Sequence, residues 1–163
     1  MNNKWKYWLI CSLVAVVFVV WRWSQIDHDV RAIDQSLNEI IRQVEKAIGE
    51  SQLQSLTRGR RVAGYLAEGA VLEYRPGRTL RFDAESFPVA FTAARSQFSR
   101  IDTAVSQHSI QVHDNGLQAF SSARIRVQLQ TISGQTETHQ ERFLFEWVKQ
   151  EGDWRLFSAK GDG

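Results

Sequence analysis

Cysteine and proline are scarce in this sequence, and glycine is missing from its first 48 residues. Cys11 is the only cysteine among 163 residues, so an intrachain disulfide and a cysteine-based zinc cluster are excluded. No proline precedes Pro76 and no glycine precedes Gly49, so neither of these residues forces a helix to end before Gly49. Internal repeats, low-complexity tracts and the G-x-S-x-G, HExxH, P-loop and dinucleotide fingerprints are also missing. The common signatures of hydrolases, metalloproteases and nucleotide-binding enzymes are therefore not found.

A large excess of charge of either sign is missing too. The formal net charge is +2, from 20 basic and 18 acidic residues. Lys4, Lys6 and Arg22 flank an apolar amino-terminal segment, and without them 17 basic residues stand against 18 acidic ones. A near-neutral domain lacks the electrostatic footprint of a general nucleic-acid-binding protein. We therefore expect no nucleic-acid partner. Because metal-binding and nucleotide-binding patterns are missing from the sequence, we also expect no metal and no cofactor.

The sequence does contain a long apolar run near its amino terminus. Residues 7–21 carry no charge. Tryptophans stand in pairs at the two ends of this run: Trp5 and Trp8, then Trp21 and Trp23. A helix over residues 5–23 is about 28 Å long, close to the hydrocarbon thickness of about 30 Å, and tryptophan favours the headgroup region. The sequence therefore predicts a short cytoplasmic tail over residues 1–6 and a transmembrane helix over residues 7–23.

Other interpretations of the apolar run are less consistent with its flanks. A cleaved secretory signal needs small residues before the cleavage site, whereas this run ends in "WRWSQ". A lipoprotein signal is disfavoured because Cys11 comes early and follows Ile10, and a buried core helix would not need paired tryptophans. The basic residues are slightly biased to the amino-terminal side. We expect a single-pass protein of a bacterial-type inner membrane, with its carboxyl-terminal domain periplasmic or otherwise extracytoplasmic.

A helical pattern continues beyond the apolar run. Apolar residues recur at spacings of four and three: Ile26, Val30, Ile33, Leu37, Ile40, Val44 and Ala47. This periodicity predicts a helix, whose stripe Ile41 and Ile48 widen and which Gly49 is placed to end. We assign residues 24–50 to a helical stalk and the first helix of the domain. The wide stripe suits a helix packed on a sheet, and the strict spacing also suits a short parallel coiled coil between two chains.

Residues 51–163 have the pattern of short helices followed by strands. Ser51 is a candidate N-cap for one or two short helices that lead to the apolar strand "AVLEY". A turn at Pro76 and a third helical region, broken or entered at Pro88, follow. From Thr103 onward apolar and polar residues alternate, and turns at 114–116, 133–134 and 151–153 separate four strands. The prediction is an α+β domain, with a long helix and short helices packed on a curved antiparallel sheet that ends in a four-strand meander.

These segments resemble a known superfamily. The stretch "YLAEGAVLEY", the meander and the closing "WVKQEGDWRLFSAKG" are similar to nuclear transport factor 2-like domains, also called SnoaL-like or cystatin-like α+β. The resemblance covers about residues 29–161. It implies a cone formed by the sheet and the first helix, often with an apolar pocket, and dimerisation through the sheet. Five residues are then expected to fill or line the cone: Tyr65, Phe143, Phe145, Trp147 and Trp154.

Enzymes of this superfamily need a carboxylate or histidine in the cone, with a hydroxyl or second acid as donor. The candidate acids and bases are Asp102, His108, His139 and Glu141, and the candidate hydroxyl donors are Tyr65 and Tyr74. No pair among them has a distinctive spacing. His108 and His113 are five apart, which predicts opposite faces of a strand and no metal pair. His139 and Glu141 share a face, where contact with an arginine of the neighbouring strand is the simpler explanation, so we assign no catalytic residue.

The sequence is consistent with two classes of function. Arg58, Arg60 and Arg61 form a basic surface that suits anionic lipid headgroups or an acidic partner, although a solvated helix end explains them as well. The leading hypothesis is a membrane-anchored binding or assembly module, with membrane lipid and either another envelope protein or a second copy of the chain as partners. The alternative is an enzyme or carrier acting on a small apolar, lipid-like molecule in the cone.

Overall fold

The computed structural model describes the backbone of residues 4–75 and 77–162, and the side chains of residues 24–73 and 77–162. The helices in this part of the chain are α1 (Lys4–Val44), α2 (Gln52–Ala63) and α3 (Phe87–Ser96). The strands are β1 (Leu66–Arg75), β2 (Arg78–Arg81), β3 (Phe98–Val112), β4 (Gln118–Thr131), β5 (Thr136–Gln150) and β6 (Asp153–Asp162). All six strands form one sheet in the order β2-β1-β6-β5-β4-β3.

The predicted arrangement of helices on a curved sheet is confirmed, but the sheet is mixed. Strands β3 to β6 form the predicted antiparallel meander. Strand β1, however, lies parallel to β6, with Leu66 beside Leu156 and Val71 beside Ser158. The prediction of an antiparallel sheet is therefore wrong at this one pairing. It joins residues far apart in sequence, which no local pattern specifies.

Helix α1 is confirmed as a core-packing helix over its second half, and it ends earlier than predicted. Ile33, Leu37 and Ile40 are buried against the sheet. The helix ends at Val44 because the backbone of Lys46 pairs with Ile101 of β3, through N–H···O bonds of 2.9 and 3.0 Å. The prediction that Gly49 ends the helix is therefore wrong. Gly49 lies in the following turn with φ +83°, and Ile48 does not extend the helical stripe.

The predicted membrane anchor falls on residues whose side chains are not described. The backbone of α1 begins at Lys4 and is helical across the predicted span of residues 7–23. The four tryptophans assigned to the anchor lie outside the described side chains: Trp5, Trp8, Trp21 and Trp23. Where side chains are described, none of the helices combines the length and the hydropathy of a membrane span. The anchor and the tail over residues 1–6 remain predictions.

Helices α2 and α3 pack closely against each other. Ser51 is the N-cap of α2, as predicted: its hydroxyl accepts the Gln54 N–H, and the Gln54 side chain accepts the Ser51 N–H in return. Gly59 of α2 is buried, and a Cβ atom placed there would lie 2.9 Å from the Cα of Pro88 in α3. Such a separation is too short for two carbon atoms, so glycine is what allows the two helices to approach.

Candidate functional site

The interior of the cone is occupied by the protein's own aromatic side chains. Trp147 is 0% exposed, and its indole N–H donates to the Ser121 hydroxyl at 2.9 Å. The ring centroids of Phe143 and Phe145 are 6.2 Å apart, and those of Phe145 and Trp147 are 6.4 Å apart. These rings belong to one core cluster with the buried side chains of α1. We call the sheet face that carries them the inner face.

The second tryptophan of the closing hairpin binds to a buried carboxylate on α1. The Trp154 indole N–H and the Lys149 ammonium group donate to the same Asp29 oxygen, at 2.9 and 2.8 Å. The ammonium group also lies 5.4 Å from the centre of the Trp154 ring. Asp29 is buried, so both donors compensate its desolvation. These contacts attach the β5–β6 hairpin to the first helix. Beside them lies a cavity of about 350 Å³, which is lined by Asp29, Tyr65 and Trp154 among other residues.

A β-bulge changes which residues of β3 face the cone. Before the bulge, Ile101 and Val105 face α1; after it, His108 and Ile110 take the inward positions. The pairing with β4 moves from Ser106 beside Arg124 to Ser109 beside Ser122, so β3 contains one extra residue. Gln107 lies within this step with φ +53°. An extra residue shifts the alternation by one position, and bulges often redirect side chains in this way.

The bulge brings His108 against the first helix. Its Nδ1 atom lies 2.7 Å from Oδ1 of Asp34, and the Asn38 amide donates to the other Asp34 oxygen at 3.1 Å. The His108 side chain is 11% exposed, whereas that of Asp34 is 47% exposed. The Nε2 atom of His108 is buried and has no hydrogen-bond partner among the described residues. A carboxylate and an imidazole arranged in this way can accept or deliver a proton at Nε2 when a molecule reaches that atom.

The structure does not bring the predicted catalytic candidates together. Asp102 pairs with Gln128 on the outer face of the sheet and forms a 2.7 Å ion pair with Arg100. His139 and Glu141 are exposed near the end of the sheet, and the side chain of Tyr74 lies outside the described residues. His139 lies beside Val127 and Glu141 beside Ile125, so neither lies directly opposite an arginine of β4.

Sequence reasoning passed over the Asp34–His108 pair although one signal for it was present. Inward residues of β3 have odd numbers up to Val105 and even numbers from Ile110 onward. This change of phase between two apolar runs is the mark of an inserted residue. Asp34 gave no comparable signal, because a charged residue next to an apolar helical stripe is ordinarily solvated.

The predicted basic surface lies on α2, beside the end of α1. Arg58 forms a 3.5 Å ion pair with Glu50 and donates to the carbonyl oxygen of Arg42 at 3.1 Å. Arg60 and Arg61 are exposed. Arg58 and Arg61 line an open groove of about 720 Å³. In the described part of the chain, no group of three His, Cys, Asp or Glu side chains is placed to hold a metal ion.

Several solved structures share the fold of this domain. An NTF2-like protein with a cystatin-like fold from Novosphingobium aromaticivorans aligns with a TM-score of 0.67 and 10% identity, covering 88% of this chain and 89% of its own. Kfla4162 from Kribbella flavida aligns with a TM-score of 0.68 and 16% identity, covering 83% and 90%. A hexachlorocyclohexane dehydrochlorinase, LinA type 2, aligns with a TM-score of 0.66 and 8% identity, covering 84% and 86%.

The described domain therefore has the nuclear transport factor 2-like fold. No protein-family sequence model and no curated protein sequence matches the chain. At identities this low, structural similarity identifies the fold and not the activity.

Proposed function

We propose that the chain is a binding or assembly module held at a membrane by its amino-terminal segment, without catalytic activity in the cone. The observation that carries this proposal is the packed interior: Trp147 and Phe145 are 0% and 6% exposed and belong to the core cluster that includes the buried side chains of α1. Ligand sites are typically cavities of several hundred Å³. The cavities found beside α1 and α2 are lined by neither of these two residues.

The membrane location is supported by the sequence of the first two dozen residues. An uncharged run with paired tryptophans at both ends has the length and the flanks of a transmembrane helix. The continuous backbone of α1 would couple such a span directly to the domain. We place the domain on the extracytoplasmic side of a bacterial-type inner membrane, where its partners are another envelope protein or a second copy of the chain.

The tether is tested by alkaline carbonate extraction of membranes containing the full chain. The full chain is expected to stay with the membrane pellet, and a variant lacking residues 1–23 is expected in the supernatant. Recovery of the intact chain in the supernatant, with its first 23 residues still attached by mass spectrometry, would contradict the proposal.

A second candidate function is favoured by one specific observation. In the Asp34–His108 pair the buried Nε2 atom has no hydrogen-bond partner within the described part of the chain, and a hexachlorocyclohexane dehydrochlorinase has the same fold. An enzyme or carrier for a small apolar molecule would use this pair after the aromatic side chains move aside. Native mass spectrometry of the full chain released into detergent separates the two candidates. A small molecule bound in stoichiometric amount, and lost in His108→Asn, supports the second candidate; an unliganded chain supports the first.

A further inference from the structure

The open groove of about 720 Å³ lies between the last turns of α1, the turn that follows and α2. Its lining includes three arginines, Arg42, Arg58 and Arg61, and two large apolar side chains, Ile48 and Leu53. We call it the α1–α2 groove. It lies at the opposite end of the described part of α1 from Asp29 and the β5–β6 hairpin.

Arginines outnumber carboxylates in the lining of the α1–α2 groove, although Arg42 pairs with Glu39 at 2.6 Å and Arg58 pairs with Glu50 at 3.5 Å. Among the described lining residues the only carboxylate is Glu50, which is 5% exposed and bound to the buried Arg95 at 2.8 Å. Arg61 is exposed, and the nearby carboxylate of Glu39 interacts with it only through the longer-range coulombic attraction. Guanidinium groups bind carboxylates through charge-assisted hydrogen bonds. The groove is therefore suited to an acidic ligand.

Apolar side chains lie at the same place. Ile48 and Leu53 are 70% and 72% exposed, although burial of apolar surface is favourable. Both lie beside arginine, a residue type that is enriched at protein interfaces. A ligand that covers Ile48 and Leu53 must itself be apolar in part.

The lining also contains a buried amide. Gln43 is 3% exposed, and its Nε2 donates to Oε1 of Glu39 at 2.6 Å. That bond fixes which end of the amide is the donor, and leaves Oε1 of Gln43 buried with no hydrogen-bond partner among the described residues. An unsatisfied buried acceptor destabilises a structure.

The walls of the α1–α2 groove are held in place without a ligand. The capping box of Ser51 and Gln54 fixes the first turn of α2. The Ser55 hydroxyl donates to Glu50 at 2.9 Å, and Arg95 donates to the Ser55 oxygen at 3.0 Å. A preformed site loses little conformational entropy on binding.

We propose that the α1–α2 groove binds an acidic and apolar segment of a partner protein, an inference that rests on the proposed role as a binding module. Three arginines beside two exposed apolar side chains suit a segment that carries both carboxylates and apolar side chains. About 28 Å of helix separates Arg42 from the end of the predicted span. When α1 continues along the axis of that span, the groove lies beyond the headgroups of the membrane that holds the chain.

The test uses the full chain in an uncharged detergent and a dye-labelled peptide, Glu-Leu-Glu-Leu-Glu-Leu-Glu, with fluorescence anisotropy as the readout. Arg61→Gln and Leu53→Asn are each expected to weaken binding about tenfold. Arg124→Gln, which removes an exposed arginine from the outer face of the sheet, is the matched control and should bind as the unmodified chain does. Equal binding by all four proteins overturns the proposal, as does equal binding of the peptide with lysine in place of glutamate.

Two further experiments distinguish the groove proposal from the proposed role as a binding module. Vesicles of phosphatidylglycerol that displace the peptide through Arg61 would assign the groove to lipid and overturn the proposal. A photo-crosslinking residue at Leu53 is expected to capture, in cells, a protein that the acidic peptide displaces. Capture only from Phe120, on the outer face of the sheet, would overturn the groove while leaving the binding-module role intact. Capture from neither position would contradict both.

Discussion

Replacing Glu50 by glutamine is expected to lower the free energy of unfolding by about 3–5 kcal/mol. The Glu50 and Arg95 side chains are 5% and 3% exposed, and their charged groups are 2.8 Å apart. Glutamine keeps the shape of the side chain but removes the charge. The Arg95 guanidinium group would then be buried without a counter-ion, and its Nε atom already lacks a partner in the described part of the chain. Because this pair joins the turn after α1 to α2 and α3, we expect the whole helical layer to loosen.

The assay is urea unfolding of the full chain in detergent, followed by far-ultraviolet circular dichroism. Asp102→Asn is the matched control: Asp102 also pairs with an arginine, at 2.7 Å, but both side chains are about half exposed. Its loss should cost less than about 1 kcal/mol. The double variant Glu50→Gln, Arg95→Met should recover part of the stability, because no unpaired charge remains. A Glu50→Gln variant no less stable than Asp102→Asn would refute the reasoning.

Three further predictions follow from single positions. Burial raises the pKa of Glu50, but hydrogen bonds from Arg95 and Ser55 lower that pKa further, to a net value below the ordinary 4.5. The pKa of Glu50 is therefore lower in the folded state than in the unfolded state. The ionised carboxylate stabilises the fold above pH 4.5, and this contribution is lost as the pH falls through the folded-state pKa. In urea titrations at several pH values, the free energy of unfolding of Glu50→Gln should depend less on acid pH than that of the unmodified chain. Gly59→Ala should lower the melting temperature despite the better helix propensity of alanine, because its Cβ would contact the Pro88 backbone at 2.9 Å; an increase would contradict the close packing of α2 and α3. Gln107→Gly should raise the free energy of unfolding by up to about 1 kcal/mol, because Gln107 has φ +53°, which glycine adopts without strain. Gln111→Gly in the same strand should lower the free energy of unfolding by about 0.5–1 kcal/mol. An equal decrease in the free energy of unfolding for both variants, measured with urea, would contradict the bulge.

Local patterns were sufficient to predict most of the elements. Alternating residues with short glycine turns between them identified the four strands of the meander, because each hairpin is specified by neighbouring residues. Ser51 was identified as an N-cap for the same reason, since its partner Gln54 is three residues away. The four-residue strand β2 was not predicted, because every one of its residues is exposed and it has no apolar alternation.

Long-range contacts could not be predicted from the same patterns. Asp29 meets Lys149 and Trp154 across separations of 120 and 125 residues, and a pattern indicates which face a residue lies on without indicating what lies opposite. The bulge at Gln107 moves His108 to the inner face, which simple alternation from Ile101 and Val105 does not predict. Helix α1 ended early because a tertiary contact, the pairing of Lys46 with Ile101, replaced its last turn.

The most direct test of the account is the behaviour of the Trp147 indole proton in nuclear magnetic resonance spectra of the full chain in detergent, assigned with a Trp147→Phe variant. In the structure the Trp147 indole is buried, and its N–H group donates to the Ser121 hydroxyl. We expect its proton to exchange slowly with solvent, and its chemical shift to stay constant as apolar molecules such as decanol are added. Rapid exchange, or a saturable change in shift that His108→Asn abolishes, would show an open and occupied cone and contradict the account.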